Sequence, residues 1–559
     1  MKRNYKSFLI VLIYSILLRF VLWYTTGLSV FTLGIIFDII FLSFWIGIFL
    51  IFIKSHKLQK IYYITIVSVF SFITIVDSIY YDYFKTFFSK TSLGGARFLA
   101  DGNVINYDLS IPIEFYLITP LLAGVIYFIA KSKEQDVILF RDFYKVALLF
   151  VIQFGLFLSY GTHSYDTNID YYQSDAYLFE SIFDRKLFSE NYGYYNFHII
   201  DTIRFKEVID YEEAFLEVDE YFNNKDPHVD NDMTAAYEGY NLITILGETL
   251  ETRFIDETLT PNLYMMLNNG YSFDNYYTPV FQIGATSNSE FMSFTSLNAT
   301  SSSDWSNNIF DGYPDNLFPD SLASQLQDNG YDTYYFHSGH EWFYNRDNVI
   351  PGLGFETVKF QEDLIDLGYD YDELYDTQML WFLDEYVDFS STFYIDLLTY
   401  SMHGAYNQDD LYDHDGLVET AYPGVELDEE IHCYMEKLIE FDIMLGMLLD
   451  KLEAEGILDN TIFAIYPDHY PYIMDSETYS EYIGVEFDSH EISRQELIIY
   501  SPSMTKEVIS QPGSTKDIAP TLLNLLLPDA NYDYFMGIDL FSNQVNYIVF
   551  DDLTITDGK

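Results

Sequence analysis

Residues 241–248 read NLITILGE, and residues 461–469 read TIFAIYPDH. Each is a short apolar run, rich in β-branched and aromatic residues, that ends in acidic or imidazole side chains. That is the pattern of a strand buried on both faces of a sheet. Three more runs are of the same kind: Tyr331 to Phe336, Thr392 to Leu398, which leads on to His403, and Glu496 to Tyr500. Helical patterns with recognisable ends lie between them. Thr260-Pro261 with Gly270 frames one helix and Asp320 with Gly330 another, and longer helices are predicted over about Glu373 to Val387, Glu426 to Leu452 and Lys516 to Leu526. The alternation predicts an α/β domain with a mainly parallel sheet over residues 240–545, with residues 546–559 as a tail. In such a domain, ligands bind beyond the carboxyl ends of the strands.

Toward the N-terminus the composition changes. Apolar stretches at Phe8 to Tyr24, Ser29 to Ile53, Ile61 to Val76, Ile111 to Ala130 and Phe143 to Tyr160 suit a hydrocarbon core about 30 Å thick, so residues 1–160 read as a five-helix transmembrane bundle. Their multiplicity argues against a lone secretory signal. Lys2, Arg3 and Lys6, then Lys54, Lys57 and Lys60, then Lys131, Lys133, Arg141 and Lys145 all fall on one side if the N-terminus is inside. Five crossings then put everything after Tyr160 outside. The loop from Asp77 to Ser110 carries Lys85, Lys90 and Arg97 against this rule, partly offset by its own acids. Arg19 and Asp38, inside apolar runs, are expected either to pair or to snorkel to the interface. A channel for a lipid substrate is the sharper alternative. Residues 161–239 are polar and Tyr-rich and read as a juxtamembrane linker, with an amphipathic helix from about Phe205 to Phe222 and a weak processing candidate at Thr234-Ala235-Ala236.

Charge is split as unevenly as hydropathy. Of 559 residues, 28 are Lys or Arg and 85 are Asp or Glu, and residues 161–559 hold 14 basic against 76 acidic side chains, a net of −62. Such a surface repels phosphate backbones and anionic lipid and lacks a basic stripe, which excludes nucleic-acid binding and favours divalent cations. Cys433 is the only cysteine, so no intrachain disulfide and no Cys-based zinc site can form.

Against that background, four places carry chemistry. Glu248, Asp468-His469 and His403 follow predicted strands, and oxygen and imidazole ligands suit Mn²⁺, Mg²⁺ or Zn²⁺. An acid after a strand is also the ordinary position of a solvated loop group or helix cap, so Glu248 alone decides little. The fourth place is GATSNSEFMSFTSL, Gly284 to Leu297, where Ser287 and Glu290 have the spacing of a capping box. That spacing assigns Glu290 to capping and sets Thr286 at a helix N-terminus, a seat for a phosphoryl group, or merely in a helix entry of small polar residues. Between Arg253 and Lys437 the only cations are Arg346 and Lys359, and Arg346 lies in HSGHEWFYNRD beside His337 and His340. A guanidinium there is a phosphate clamp, or else a surface ion pair with Asp347.

Taken in order, Glu248, Thr286 in GATSNSE, FYNRD, His403 in TYSMHG and Asp468-His469 in YPDHY resemble the lipoteichoic acid synthase family. These are phosphoglycerol transferases of the sulfatase and alkaline phosphatase superfamily. The membrane anchor and SxxDIAPTLLNL, Ser514 to Leu525, are similar as well. The resemblance implies that Glu248, Thr286, Asp468 and His469 hold one Mn²⁺-like ion, with Thr286 also the nucleophile. It implies that Arg346, His403, His337 and an aromatic at Tyr344 contact glycerophosphate. Phosphatidylglycerol is the implied donor, and a glycolipid or polyglycerol-phosphate chain the implied acceptor. Tyr344 stands where the family commonly shows Trp, and GATSN departs from Gly-Lys-Thr-Ser-Asp, differences that bear on substrate identity more than on reaction type. Cys433 in IHCYMEK lacks the Cys/Ser-x-Pro-x-Arg context of a sulfatase nucleophile, and one cysteine argues against the disulfide-bearing phosphoethanolamine transferases. A non-catalytic wall-binding protein on the same fold is the alternative from another class.

Overall fold

The computed structural model describes residues 4–84, 87–90, 113–163, 178–179, 182, 185–203, 211–279, 286–299, 309–312, 316–341, 343–404, 406, 414, 416–486, 489–550 and 554–558. The chain divides into two compact units after Glu207.

The first unit contains α1 (Lys6–Thr26), α2 (Leu33–Phe52), α3 (His56–Phe84), α4 (Ile113–Lys131) and α5 (Phe140–His163). By length and composition, α1, α2, α3 and α4 can each cross a membrane; the apolar part of α5 is shorter, Phe143–Phe157. All five expected helices are therefore present, and four meet the spanning criterion. Within the unit, Arg19 and Asp38 are buried and paired, Nη1 to Oδ2 at 2.7 Å, rather than snorkelling. Asp38 also accepts the backbone N–H groups of Tyr194 and Tyr195, at 3.1 and 2.9 Å, where the helix Tyr194–Ile203 starts. A carboxylate there faces the positive end of the helix dipole as well as the guanidinium. Gly193 makes the approach possible: its φ is +103°, and an added Cβ would lie 2.6 Å from Asp38 Oδ1.

Residues 185–203, which the sequence reading assigns to the linker, form two helices in this unit, Arg185–Tyr192 and Tyr194–Ile203. Phe188, Tyr192, Tyr194, Tyr195 and Phe197 are buried in one cluster with Val11, Tyr14 and Leu18 of α1. Their apolar surface is aromatic and interleaved with polar residues, so mean composition hides it.

In the second unit, β1 (Asn241–Gly247), β2 (Tyr271–Tyr277), β3 (Asp332–His337), β4 (Thr357–Phe360), β5 (Phe393–Leu398), β6 (Thr461–Pro467), β7 (Arg494–Tyr500), β8 (Glu507–Ile509) and β9 (Gly513–Ser514) form one sheet in the order β4-β3-β5-β1-β6-β7-β2-β8, with β9 also on β2. The five strands from β4 to β6 are mutually parallel, and β7 runs against both of its neighbours. Both faces are covered. Leu242, Leu246, Tyr394, Leu398, Ile462 and Tyr466 belong to one core cluster, and Ile243, Ile245, Ile395, Leu397, Phe463 and Ile465 to another. Two-sided burial explains the continuous apolar runs, and each fully buried aliphatic side chain contributes about 1.5–3 kcal/mol.

Strands β2 and β4 are not anticipated by the sequence reading. YSFDNYY at β2 lacks a clean apolar run, and TVKF at β4 has only four residues. The helix expected over Glu373 to Val387 is a 3₁₀ turn, Asp376–Met379, followed by a helix at Leu380–Tyr386. The amphipathic helix spans Tyr211–Asn224. Thr234 to Ala236 lies in a turn docked on the domain, with the Ala235 and Tyr237 N–H groups donating to the carbonyls of Asn524 and Leu525. The expected tail contains a strand pair, Ile548–Val549 with Ile555–Thr556, and buries Ile548 and Phe550 against Tyr277.

Asp38→Leu leaves Arg19 buried without its counter-charge and is expected to destabilise the first unit by about 3–5 kcal/mol, whereas Arg19→Leu/Asp38→Leu together should recover most of the loss. Thermal unfolding of the full chain in detergent reads both outcomes.

Candidate metal centre and active site

The register of the sheet builds the centre. Gly247 pairs with Pro467 across β1 and β6, so the next residues, Glu248 and Asp468, emerge side by side at the carboxyl edge, about 4.8 Å apart in backbone spacing. Leu398 pairs with both Leu246 and His337, which brings His337 to the same edge and starts the segment to His403 there. Thr399 ties the rim together: its Oγ1 accepts from the Glu248 N–H at 3.0 Å and donates to the Leu246 carbonyl at 3.3 Å.

Glu248, Asp468 and His469 are all buried, and their candidate ligand atoms lie within 4.8 Å of one another. Thr286 opens the helix Thr286–Thr295 and donates from Oγ1 to Glu248 Oε2 at 2.9 Å. The other oxygen of Glu248 accepts from Thr249 Oγ1 at 2.7 Å. Thr249 has φ +56° although it is not glycine, a strained conformation that aims its N–H at Asp468 Oδ1, 2.8 Å away. The His469 N–H donates to the same oxygen at 2.7 Å. Ser289 Oγ donates to the Asp468 carbonyl at 2.8 Å, fastening the Thr286 helix to the β6 end.

His469 Nδ1 is 3.1 Å from the Tyr470 carbonyl, which assigns the proton to Nδ1 and turns the Nε2 lone pair toward Asp468 Oδ2, also 3.1 Å away. Both atoms are buried without a hydrogen-bond partner. Two lone pairs facing each other in a dry site repel unless a cation or proton stands between them. Burial, with the Glu248 charge added, pushes the Asp468 carboxyl well above its usual range. Glu248 is itself buried, but His469 and then His403 outweigh that and hold its carboxyl below the usual value. Burial lowers the pKa of His469, which favours the neutral imidazole that a metal ligand requires, against the pull of the Glu248 carboxylate toward the charged form. Two carboxylates, a neutral imidazole and a hydroxyl thus fit a divalent cation by donor type and by their orphaned atoms.

Arg346 sits one helical turn deeper, held by a residue that the capping box disguises. Glu290 is fully buried and takes Arg346 Nη2 and Nε on Oε2, at 2.6 and 2.9 Å, with Tyr335 donating to Oε1 at 2.7 Å. Glu290 therefore does not cap the helix. The partner of Arg346 is this buried acid, not the exposed Asp347. Because Glu290 lies four residues after Thr286, the pair links the Thr286 helix to the Arg346 loop.

His337 spends both nitrogens in this inner layer, with Nδ1 donating to the Leu398 carbonyl at 3.2 Å and Nε2 accepting from Arg346 Nη1 at 3.2 Å. Burial, then the guanidinium, lowers its pKa well below the usual value. Tyr344 lies 5.1 Å from the guanidinium carbon in a cation–π contact. Tyr344 and Asn345 have φ +57° and +61°, so two successive non-glycine residues are left-handed just before Arg346. His403 is half-buried; its Nδ1 is 2.5 Å from the Gly404 carbonyl and its ring stacks on Tyr400 at 5.0 Å. His340 pairs with Glu362 at 2.5 Å.

The structure thus collects Glu248, Thr286, Asp468 and His469 at one point and sets His337, Arg346 and Tyr344 in an adjoining layer. Sequence reasoning missed Thr249, whose strain leaves no mark in composition, and the Glu290–Arg346–Tyr335 group. The scarcity of cations near Arg346 was the one available sign that some acid had to answer it.

A protein-family model described as Sulfatase matches residues 240–527. The chain is similar to lipoteichoic acid synthase-like YvgJ of Bacillus subtilis (strain 168), 26% identical over 392 residues that cover 64% of this chain and 60% of the relative. It is also similar to lipoteichoic acid synthase 2 of the same organism, 23% identical with 90% and 78% covered. Among solved structures, the lipoteichoic acid synthase LtaP from Listeria monocytogenes is similar with a TM-score of 0.49 and 22% identity, covering 60% of this chain and 83% of that one.

Two outcomes test this geometry. Mn²⁺ added to chelator-treated protein is expected to raise the melting temperature, by the equivalent of about 2.7 kcal/mol at 100 times the dissociation constant, and Asp468→Asn should abolish the rise. Glu290→Gln, which leaves Arg346 buried without a counter-charge, is expected to cost about 3–5 kcal/mol in denaturant titration, and Asp347→Asn close to nothing.

Proposed function

The chain belongs to the sulfatase family, on its lipoteichoic acid synthase branch, and from that premise we propose that it is a membrane-anchored phosphoglycerol transferase. The observation that carries the reading is the Thr286 hydroxyl, at a helix N-terminus and 2.9 Å from Glu248, in contact with a donor set that fits a divalent cation. Glu248, Thr286, Asp468 and His469 would hold that ion, Mn²⁺ by preference with Mg²⁺ or Zn²⁺ as alternatives. When bound, it supplies the positive charge that makes a threonine hydroxyl acidic enough to react and offsets the charge of the phosphoryl oxygens.

Two in-line displacements follow. Thr286 Oγ gives its proton to Glu248 Oε2, to which it already donates, and bonds to the phosphorus of phosphatidylglycerol while the bond to the diacylglycerol oxygen breaks. That oxygen takes a proton from His403 and leaves as diacylglycerol, with glycerophosphate on Thr286. In the second step, a hydroxyl of a glycolipid or a polyglycerol-phosphate end gives its proton to His403 and bonds to phosphorus while the bond to Thr286 Oγ breaks, and Glu248 returns the proton that restores the Thr286 hydroxyl. Two inversions give net retention at phosphorus. The Nδ1 contact of His403 with the Gly404 carbonyl leaves Nε2 as the proton carrier. Arg346, oriented by Glu290 and His337, meets the glycerophosphate together with Tyr344 and His403, while His337, with both nitrogens occupied by the Leu398 carbonyl and Arg346, holds the guanidinium rather than the substrate. Positive charge in the loops at one end of the anchor supports a reading in which the catalytic domain lies outside the cell, beside an outer-leaflet donor.

Purified full-length protein with Mn²⁺ and fluorescent phosphatidylglycerol is expected to release diacylglycerol, and Thr286→Ala should lower the rate by at least about a thousandfold. Undiminished release by Thr286→Ala would remove the covalent step. Metal binding with no release by the wild type would leave a binding module on this fold.

A further inference from the structure

Behind His403 lies a buried polar frame that the transfer steps do not use. Asp376, fully buried in the Asp376–Met379 turn, accepts the backbone N–H groups of Tyr400 and Ser401 on Oδ1, at 2.8 and 3.2 Å, and the Ser401 hydroxyl on Oδ2 at 2.5 Å. Lys437, 1% exposed on the helix Glu429–Glu455, reaches the same segment from the other side, its Nζ donating to the His403 carbonyl at 3.1 Å. Ser401 Oγ also lies 3.4 Å from the Lys437 carbonyl, so turn and helix meet at this point. One turn further along, Glu440 accepts from the N–H and hydroxyl of Thr377, at 3.1 and 2.8 Å, and pairs with His414 at 2.8 Å, fixing the Asp376 turn to the helix.

The segment held in this way is Tyr400 to Gly404. The His403 N–H donates back to the Tyr400 carbonyl at 2.9 Å, the His403 ring lies parallel to Tyr400, within 3°, and Nδ1 meets the Gly404 carbonyl. The Asp376 and Lys437 bonds fix the backbone that carries the imidazole, and the Nδ1 contact fixes its tautomer. A turn without a buried acid and a buried lysine would pack at lower cost, since taking such groups out of water is costly even when they are hydrogen-bonded. Retaining them is accounted for by a group that has to be aimed.

We propose that Asp376 and Lys437 are positioning residues for His403, clamping the Tyr400–Gly404 turn from two elements so that Nε2 faces the transferred phosphoryl group. The proposal rests on the reading of His403 as the proton carrier. Misplacement of a proton-transfer group by about 1 Å costs on the order of a hundredfold in rate, so Lys437→Met and Asp376→Asn are each expected to lower kcat for diacylglycerol release about 10- to 100-fold, with KM changed less than about twofold.

Coupling separates positioning from general damage. In a His403→Ala background the same substitutions should cost less than about twofold, because the group they aim is gone. Mn²⁺ affinity measured by calorimetry should stay at the wild-type value throughout, and Lys437→Arg should restore at least half of the activity lost in Lys437→Met. Ser401→Ala, which removes one bond to Asp376 and leaves no charge buried, carries the test if Asp376→Asn fails to fold, with a smaller loss that again vanishes in His403→Ala. Single variants within about twofold of wild type, or losses that multiply in full on His403→Ala, would overturn the proposal. Full activity of His403→Ala itself would overturn the underlying assignment and the proposal with it, a result distinct from either of the others.

Discussion

Two carboxylates brought side by side into a dry sheet edge are the constraint around which the catalytic domain is organised. The Gly247–Pro467 rung puts Glu248 next to Asp468 whatever their charges prefer, and burial leaves neither with water to relieve the repulsion. The surroundings answer with donors: Thr286 and Thr249 on Glu248, and two backbone N–H groups on Asp468. The Asp468 oxygen and His469 nitrogen left over face each other and define where positive charge belongs. The left-handed backbone at Thr249 is tolerated because it delivers one of those donors.

A second buried charge group lies in the same domain and is solved differently. Arg346 meets Glu290 through two nitrogens, so the pair is close to neutral and can stand in the core beside His337 without an external ion. Placing that acid on the Thr286 helix makes the position of the Thr286 hydroxyl depend on the guanidinium. Removing either member would therefore disturb chemistry as well as stability. In the membrane unit, Arg19 and Asp38 follow the same logic, with two helix N–H groups completing the acid's partners.

Much of this could be read from the chain because parallel strands buried on both faces print themselves as apolar runs. The ends of β1 and β6 fall at Glu248 and Asp468 as expected, and the helix bearing Thr286 begins there. What escaped has physical reasons. Strand β2 alternates aromatic with polar residues and has an irregular register with β7, so neither a run nor a clean period survives. Glu290 has two competing local meanings, and only the spatial position of Arg346 selects between them. The helices of residues 185–203 pack through scattered tyrosines and phenylalanines, which a sliding average reads as polar linker. Asp376 and Lys437 carry no motif at all; their relation to His403 exists only in three dimensions.

The order of the strands has a consequence for which ion the protein acquires. Glu248 and Asp468 stand 220 positions apart, and β6 takes its place beside β1 only after roughly three quarters of the domain has been made. A nascent or unfolded chain therefore offers no assembled ligand set to scavenging metals. An ion held by this set would be drawn from the pool of the compartment in which folding finishes, rather than from that of the compartment of synthesis.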